Sequence, residues 1–217
     1  MADTIDRETI STGGLLVPLS VALRGAVRTV RTAVKVQAYE GFGRDRWQRT
    51  TDVLQRLGIR PGDRIADLGA GGGYFTFRLA AATGPAGRIY AVDTDPDMLD
   101  HLRARVARER ISNVEVVEAS ATDPHVPAGG IDLIFSCDAY HHFSDRVAYF
   151  AGVRRALRPG GRLGIIDHDG TTGLMPRWFG HATPPGVMCD ELQAAGYRVS
   201  ETYGDLPGQT FLMLSVS

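Results

Sequence analysis

From residue 64 onward the chain alternates between two hydrophobic periods. Short apolar runs at 64–68, 88–92, 114–118, 131–136 and 162–167 predict strands. Between them, segments at 74–83, 96–110 and 144–157 carry apolar residues at helical spacing and predict helices. A helix at 187–195 and strands at 197–203 and 210–216 complete the pattern. Gly84-Pro-Ala-Gly87, Pro127-Ala-Gly-Gly130 and Arg158-Pro-Gly-Gly161 read as turns, because Pro stops a helix and Gly supplies positive φ. Strands that alternate with helices imply a parallel sheet with right-handed crossovers.

Before residue 64 the pattern differs. Residues 1–14 read as flexible, 15–38 as a helix broken near Pro18, and 45–57 as a second helix closed by Gly58. In the 15–38 segment, Leu16, Leu19, Leu23, Val27, Val30 and Val34 share one stripe, and Arg24, Arg28, Arg31 and Lys35 share the next. Two readings follow. The helix lies over the sheet domain as a lid with its basic face in water, or it meets an anionic membrane surface or a partner.

Composition changes this picture little. With 217 residues, 43% hydrophobic and 23% charged, the chain is long enough for one well-formed core. A net charge of −1 gives no global pull toward nucleic acid. Two cysteines, Cys137 and Cys189, make neither a disulfide framework nor a metal pattern. No secretory signal and no apolar run of transmembrane length is read, so a cytoplasmic protein is expected, with membrane association through residues 15–38 as the variant.

Candidate chemistry begins at 64–76, where an apolar run ends in Asp67 and glycines follow at 69, 71 and 73. A strand, a glycine turn and a helix start let a ligand approach backbone N–H groups. The next strand ends in a second acid, Asp93, placed to accept the two hydroxyls of a ribose. The pattern Asp-x-Gly-x-Gly-x-Gly, with Tyr74 in place of the last glycine of a dinucleotide fingerprint, disfavours an NAD(P) oxidoreductase. So does the lack of a Tyr-x-x-x-Lys pair.

This segment resembles motif I of the class I S-adenosylmethionine-dependent methyltransferases. Further matches follow in order at Val92-Asp93-Thr-Asp95-Pro-Asp-Met98-Leu, Glu118-Ala-Ser-Ala121-Thr-Asp123, Ile131 to His142, and Leu157-Arg-Pro-Gly-Gly-Arg-Leu. The resemblance covers about residues 45–215. It implies a doubly wound, seven-stranded, mostly parallel sheet with an antiparallel C-terminal edge, preceded by an N-terminal helical lid. On that reading residues 1–44 form an extension and 45–217 the methyltransferase domain.

The resemblance also implies roles. Asp67 faces the amino group of the methionine part of S-adenosylmethionine, although an acid there can also cap the following helix. Gly69, Ala70, Gly71 and Gly73 form the cradle, Asp93 and Thr94 the ribose contact, and Met98 touches adenine or is core. Asp95 reads as the N-cap of the helix begun by Pro96. Where the family usually shows an adenine-binding acid, this chain has Ser120 and Ala121, with Asp123 as a substitute. Cys137 lies beside the cofactor as a small apolar residue.

Proton transfer, where the acceptor needs it, falls to residues after the fourth and fifth strands. His142 ranks first, then His141, with Asp138, Tyr140, Asp167, His168 and Asp169 as further candidates. A histidine there can equally pack against the next helix. Strand-end acids Asp138, Asp167 and Asp169, or the histidines with His181, raise a metal only as a minor reading, and no metal is expected. Tyr39 and Trp47 stand where the resemblance implies that N-terminal residues fold over the cofactor. In the 170–180 linker, Met175, Trp178 and Phe179 either wall an apolar acceptor pocket or pack under the N-terminal helix, and that helix and this linker are expected to select the acceptor. The function expected is methyl transfer to a small-molecule or lipid-like acceptor. A non-catalytic cofactor-binding or membrane-associated module is the alternative from another class.

Overall fold

The computed structural model describes residues 9–12, 15–41, 43–170 and 182–217. For residues 9–26, 38 and 39 it describes the backbone course alone. The chain opens with an antiparallel pair, β1 (Thr9–Thr12) and β2 (Leu15–Pro18), followed by the long helix α1 (Leu19–Glu40). Strands therefore stand where flexibility and the start of a helix were expected. Thr9-Ile-Ser-Thr and Leu15-Leu-Val are rich in β-branched residues, and the helical stripe drawn through Leu16 ran past that local preference. Pro18 ends the strand rather than breaking the helix.

The single helix expected at 45–57 is two, α2 (Arg44–Trp47) and α3 (Thr50–Arg56). Arg49 between them takes a left-handed φ of 49°. After them come β3 (Arg64–Leu68), α4 (Thr76–Thr83), β4 (Arg88–Asp93), α5 (Pro96–Glu109), β5 (Val114–Glu118), β6 (Ile131–Cys137), α6 (Arg146–Val153), β7 (Leu157–His168), α7 (Pro185–Ala194), β8 (Tyr197–Tyr203) and β9 (Gln209–Val216). A 3₁₀ turn at Tyr140–His142 separates β6 from α6, and another, Arg154–Ala156, closes α6.

The seven-stranded sheet has the order β5-β4-β3-β6-β7-β9-β8. β3 to β7 run parallel, and β9 pairs antiparallel with both β7 and β8. That is the expected sheet, with its antiparallel edge. One turn is not as read. β7 runs straight through Arg158-Pro-Gly-Gly161, with Leu157 opposite Ile131 and Arg162 opposite Leu133. The surplus residues form a bulge, which absorbs Pro159 without a lost ladder bond in the strand centre.

Alternation along each strand feeds two cores. Ile65, Ile89, Leu133, Phe135 and Ile166 pack with Val53, Leu57, Leu79 and Leu102 on one face. Ala66, Leu68, Ile134, Leu163 and Ile165 pack with Phe150, Val153, Met188 and Leu192 on the other. Because both faces are covered, the strands read as nearly continuous apolar runs.

The N-terminal helix presents the opposite face to the one expected. Val27, Val30 and Val34 are 61%, 64% and 64% exposed. The basic stripe does the docking. Arg28 Nε donates to Asp97 Oδ1 at 2.8 Å, Arg31 Nη2 to Asp97 Oδ2 at 2.6 Å and Lys35 Nζ to Asp95 Oδ2 at 2.6 Å, and Arg28 also reaches Asp100. The physical reason lies at the start of α5. The N-cap Asp95, Asp97 in the first turn and Asp100 in the second draw three cations, and Arg28 and Arg31 push Asp97 down to about 2. Three of the cations that suggested a membrane surface, Arg28, Arg31 and Lys35, thus face an acidic helix end of the same chain; the side chain of Arg24 lies outside the described residues. Among the described residues, no helix is long and apolar enough to cross a membrane.

Candidate functional site

The site forms at the carboxyl ends of the parallel strands, where the sheet order reverses between β3 and β6. β3 delivers Asp67, whose side chain is buried and whose Oδ2 accepts a hydrogen bond from Thr76 Oγ1 at 2.6 Å. Burial pushes its carboxyl up to about 6, against the Thr76 bond, which favours the ionised form. The chain then turns. Gly69 N and Ala70 N both donate to Val92 O, at 2.9 and 3.0 Å, which ties the turn to β4. Gly69 has φ 74°, and a Cβ there would stand 2.4 Å from the Cβ of Ala139, so only glycine lets β3 and the residues after β6 approach.

β4 delivers Asp93. Its Oδ2 accepts from Gly71 N at 2.7 Å, and its Oδ1 from Thr94 N at 2.8 Å and Asp95 N at 2.9 Å. One carboxylate therefore shapes both the glycine turn and the approach to α5, with acceptor capacity remaining on Oδ2. Asp95 is the N-cap of α5, as expected. Its Oδ1 accepts from Asp97 N at 2.9 Å, with Pro96 opening the helix.

A cavity of about 460 Å³ lies over these strand ends. It brings together nearly every residue expected at the cofactor: Asp67, Gly69, Ala70, Gly71, Asp93, Thr94, Met98, Ser120, Ala121 and Cys137. Gly73 is not among its lining residues. A Cβ on Gly73 would fall 2.4 Å from Phe77 and 2.8 Å from Leu102, so this glycine serves close packing of α4 and α5. The close-packing role of a fingerprint's last glycine is thus held at 73, and Tyr74 follows as a wall of the cavity. Ser120 Oγ is engaged in its own turn, accepting from Asp123 N at 2.9 Å. Asp123, the substitute adenine partner, is ion-paired with Arg155 and is absent from the cavity lining. Burial holds the Cys137 thiol well above its ordinary range, in keeping with a small apolar wall residue.

One lining residue was not singled out from sequence. Arg44, at the start of α2, is buried, and its guanidinium lies 4.3 Å from the centre of the Tyr74 ring. It donates to Asp138 Oδ2 at 2.8 Å and to Gln48 Oε1 at 3.2 Å. Gln48 Nε2 reaches Gln209 Oε1 at 2.6 Å, and Gln209 closes the ring on Asp138. The only available signal was an arginine directly after Gly41 and Gly43 at the start of a helix, which is too common to single out.

The candidates for proton transfer divide. Asp138, in a left-handed φ of 56°, is held by Arg44, Gln209 and, at 3.5 Å, His168 Nε2, so its place is in a structural network. Tyr140 is fully buried and donates to Glu191 Oε2 at 2.8 Å; burial, then that bond, raises its pKa, which removes it as a base. His142 lines the cavity. His141 lies beside it, ring centres 4.0 Å apart and tilted by 53°, with Nδ1 2.7 Å from Asp167 Oδ1. Among the described residues no group of three or more His, Cys, Asp or Glu side chains is placed to hold a metal. His181, Met175, Trp178 and Phe179 lie outside the described residues, as does the side chain of Tyr39.

The donor set fits S-adenosylmethionine. A buried acid and a buried guanidinium suit the two charges of an amino-acid group, and Asp93, over α5, suits a ribose. Comparison with known proteins agrees. A family model described as methyltransferase domain matches residues 65–161. The chain is 33% identical over 185 residues to the nocamycin O-methyltransferase of Saccharothrix syringae, covering 71% of this chain and 66% of that one. It is 29% identical over 122 residues to a ubiquinone/menaquinone biosynthesis C-methyltransferase of Ectopseudomonas mendocina, covering 56% and 47%. The chain spans a third to two thirds of the length of these first curated relatives. A crystal structure of a SAM-dependent methyltransferase from Aquifex aeolicus superposes with a TM-score of 0.75 at 22% identity, covering 85% of this chain and 98% of that one, a likeness of fold. Motif, sheet order, cavity and relatives converge: the chain belongs to the class I S-adenosylmethionine-dependent methyltransferases.

Proposed function

We propose that this protein transfers the methyl group of S-adenosylmethionine to a small-molecule or lipid-like acceptor. The observation that carries the reading is the polarity of the cavity. Asp67 and Arg44 stand by the glycine turn, Asp93 stands at the start of α5, and aromatic Phe143 and Tyr149 also line the wall. A zwitterionic group is matched at one end and a diol at the other. The bound cofactor supplies a methyl group already activated on a sulfonium, so the hard chemistry is its own. The chain contributes orientation. Asp93 fixes the turn through three backbone N–H bonds, and the Arg44–Asp138–Gln209–Gln48 ring fixes the floor beside Cys137. The two curated relatives described above are named an O-methyltransferase of nocamycin and a C-methyltransferase of ubiquinone/menaquinone biosynthesis, which supports a small-molecule or lipid-like acceptor.

Isothermal titration with S-adenosylmethionine, S-adenosylhomocysteine and NADH tests the cofactor. The first two are expected to bind and NADH is not. Mass-spectrometric detection of S-adenosylhomocysteine in the presence of an acceptor panel tests turnover and separates an enzyme from a binding module. Tighter NADH binding than S-adenosylmethionine binding would overturn the reading.

A further inference from the structure

Across the sheet the strand ends run β6, β3, β4, β5. Asp67 and Arg44 suit the amino-acid part of the cofactor and Asp93 the ribose, so the base belongs beyond Asp93, at Ala119, Ser120 and Ala121 after β5. The polar side chains of that stretch are already engaged. Ser120 Oγ accepts from Asp123 N at 2.9 Å and from Thr122 N at 3.3 Å. Asp123 accepts from His125 N at 2.8 Å and pairs with Arg155. Ala121 has no polar side chain.

Tyr149, on α6, is placed differently. It lines the cavity and is only 6% exposed. Its ring packs on Phe143, centres 4.3 Å apart, in the apolar cluster that Val117 and Ala119 join from the end of β5. The close of α6 is tied to the same stretch, by Arg155 on Asp123 and by Gly129 N donating to Arg155 O at 2.9 Å. The hydroxyls of the other described buried tyrosines, Tyr74, Tyr90, Tyr140 and Tyr197, all have partners. Tyr149 Oη has none among the described residues. Nor is it sealed from solvent, since the sealed unpartnered side-chain atoms among these residues are Asp167 Oδ2 and Ser215 Oγ. A buried tyrosine hydroxyl ordinarily finds a partner, and one on a cavity wall can find it in the ligand. Ser144, another hydroxyl of the lining, is exposed.

We propose that Tyr149 is the residue that selects the base of the cofactor, its hydroxyl accepting a hydrogen bond from the 6-amino group of adenine in a cavity whose β5 end offers no free carboxylate. The inference rests on the cofactor assignment above and concerns how the base is chosen. It has a consequence for selectivity. An ionised carboxylate would hold the amino group through a charge-assisted bond, roughly twice as strong as a neutral one. Tyr149 is neutral at working pH, because burial, then the charge of Asp123, raises its pKa. The 6-amino group is therefore read weakly, and a purine without it is only mildly disfavoured.

Titration calorimetry on the full-length protein tests this as a two-change cycle, one change in the protein and one in the ligand. The ligands are S-adenosylhomocysteine and its analogue in which the purine carries hydrogen in place of the 6-amino group. For wild type, loss of the amino group is expected to weaken binding roughly 3–10-fold, the range of one neutral hydrogen bond. Tyr149→Phe should weaken S-adenosylhomocysteine by the same factor and bind the two ligands within about twofold of each other. The substitution keeps the ring and its packing on Phe143, so the variant should melt close to wild type without ligand. Ser144→Ala should behave as wild type. Tyr149→Phe that still prefers the amino ligand as wild type does would overturn the proposal, as would a wild type indifferent to the amino group. Loss of the preference in Ser144→Ala instead would move the contact to Ser144. A penalty of about a hundredfold or more in wild type would point to a charged acceptor, Asp123 released from Arg155, and would also overturn it. A Tyr149→Phe variant with altered acceptor KM and both affinities unchanged would place Tyr149 against the acceptor. Failure of wild type to bind either ligand would instead fall on the cofactor assignment.

Discussion

Asp67 and Asp93 are both strand-end acids facing one cavity, yet they contribute in different ways. Asp67 is buried and pushed up to about 6, chiefly by desolvation. An ammonium group of the cofactor needs the ionised carboxylate. So affinity for S-adenosylhomocysteine is expected to fall roughly tenfold per pH unit below about 6 and to level off above it. Titrations from pH 5 to 8 would show the bend, and Asp67→Asn should flatten it. The same shift sets the sign for stability without ligand. The folded pKa lies above the unfolded one, so the protein loses stability as pH rises between about 4 and about 6. Asp93→Ala is expected to weaken binding by roughly 1.5–3 kcal/mol, from lost charge-assisted bonds. It should also lower the melting temperature, since three backbone N–H groups lose their acceptor. Unchanged affinity would mean that Asp95 or the backbone holds the ribose. Both acids were legible in sequence because each sits next to its own turn. Arg44 was not, because its role depends on Asp138, 94 positions away, and on a helix break at Arg49.

At the scale of elements, α1 shows where periodicity alone misleads. An amphipathic stripe says that one face is covered, and the apolar one is the usual choice. Here the cover comes from charge. Arg28, Arg31 and Lys35 lie on Asp95, Asp97 and Asp100, which by themselves read only as favourable acids near the N-terminus of α5. Pairings 60 to 72 residues apart have no local signature. The contact has a consequence at the site, because α1 also sets Val36 against Gly72, a cavity residue, where a Cβ would come within 3.2 Å. We expect α1 to retain the cofactor. Asp97 is buried but its cations Arg28 and Arg31 stand in solvent; ion pairs open to solvent on one side still weaken with salt. Replacing Arg28, Arg31 and Lys35 together by Ser should therefore speed cofactor release severalfold in stopped-flow displacement. In wild type the release rate should rise as salt is raised from 0.05 to about 1 M. A rate blind to both changes would show that α1 is no lid.

For the whole molecule, the alternation of strand and helix made the doubly wound sheet readable, and with it the cavity at the strand ends. The β1–β2 pair and the passage of β7 through Pro159 escaped because each breaks a local rule that tertiary pairing overrides. The site itself is distributed. Its residues come from α2, β3, β4 and the segments after β5 and β6, so ligand binding joins elements from both halves of the sheet. A ligand that contacts all of them binds the folded state alone and must raise its stability by mass action. At a hundredfold excess over Kd this amounts to about 2.7 kcal/mol, or a melting shift of about 5–11 °C for a chain of this size. S-adenosylhomocysteine should produce that shift in a thermal melt and NADH should not. EDTA should leave both the shift and turnover unaltered, since the cradle is built from acids, amides and one guanidinium. Loss of turnover with EDTA and its return with Mg²⁺ would instead make ligands of Asp138, Asp167 and Asp169. The buried contact of Asp167 with His141 would then have to be reread as a site waiting for a cation.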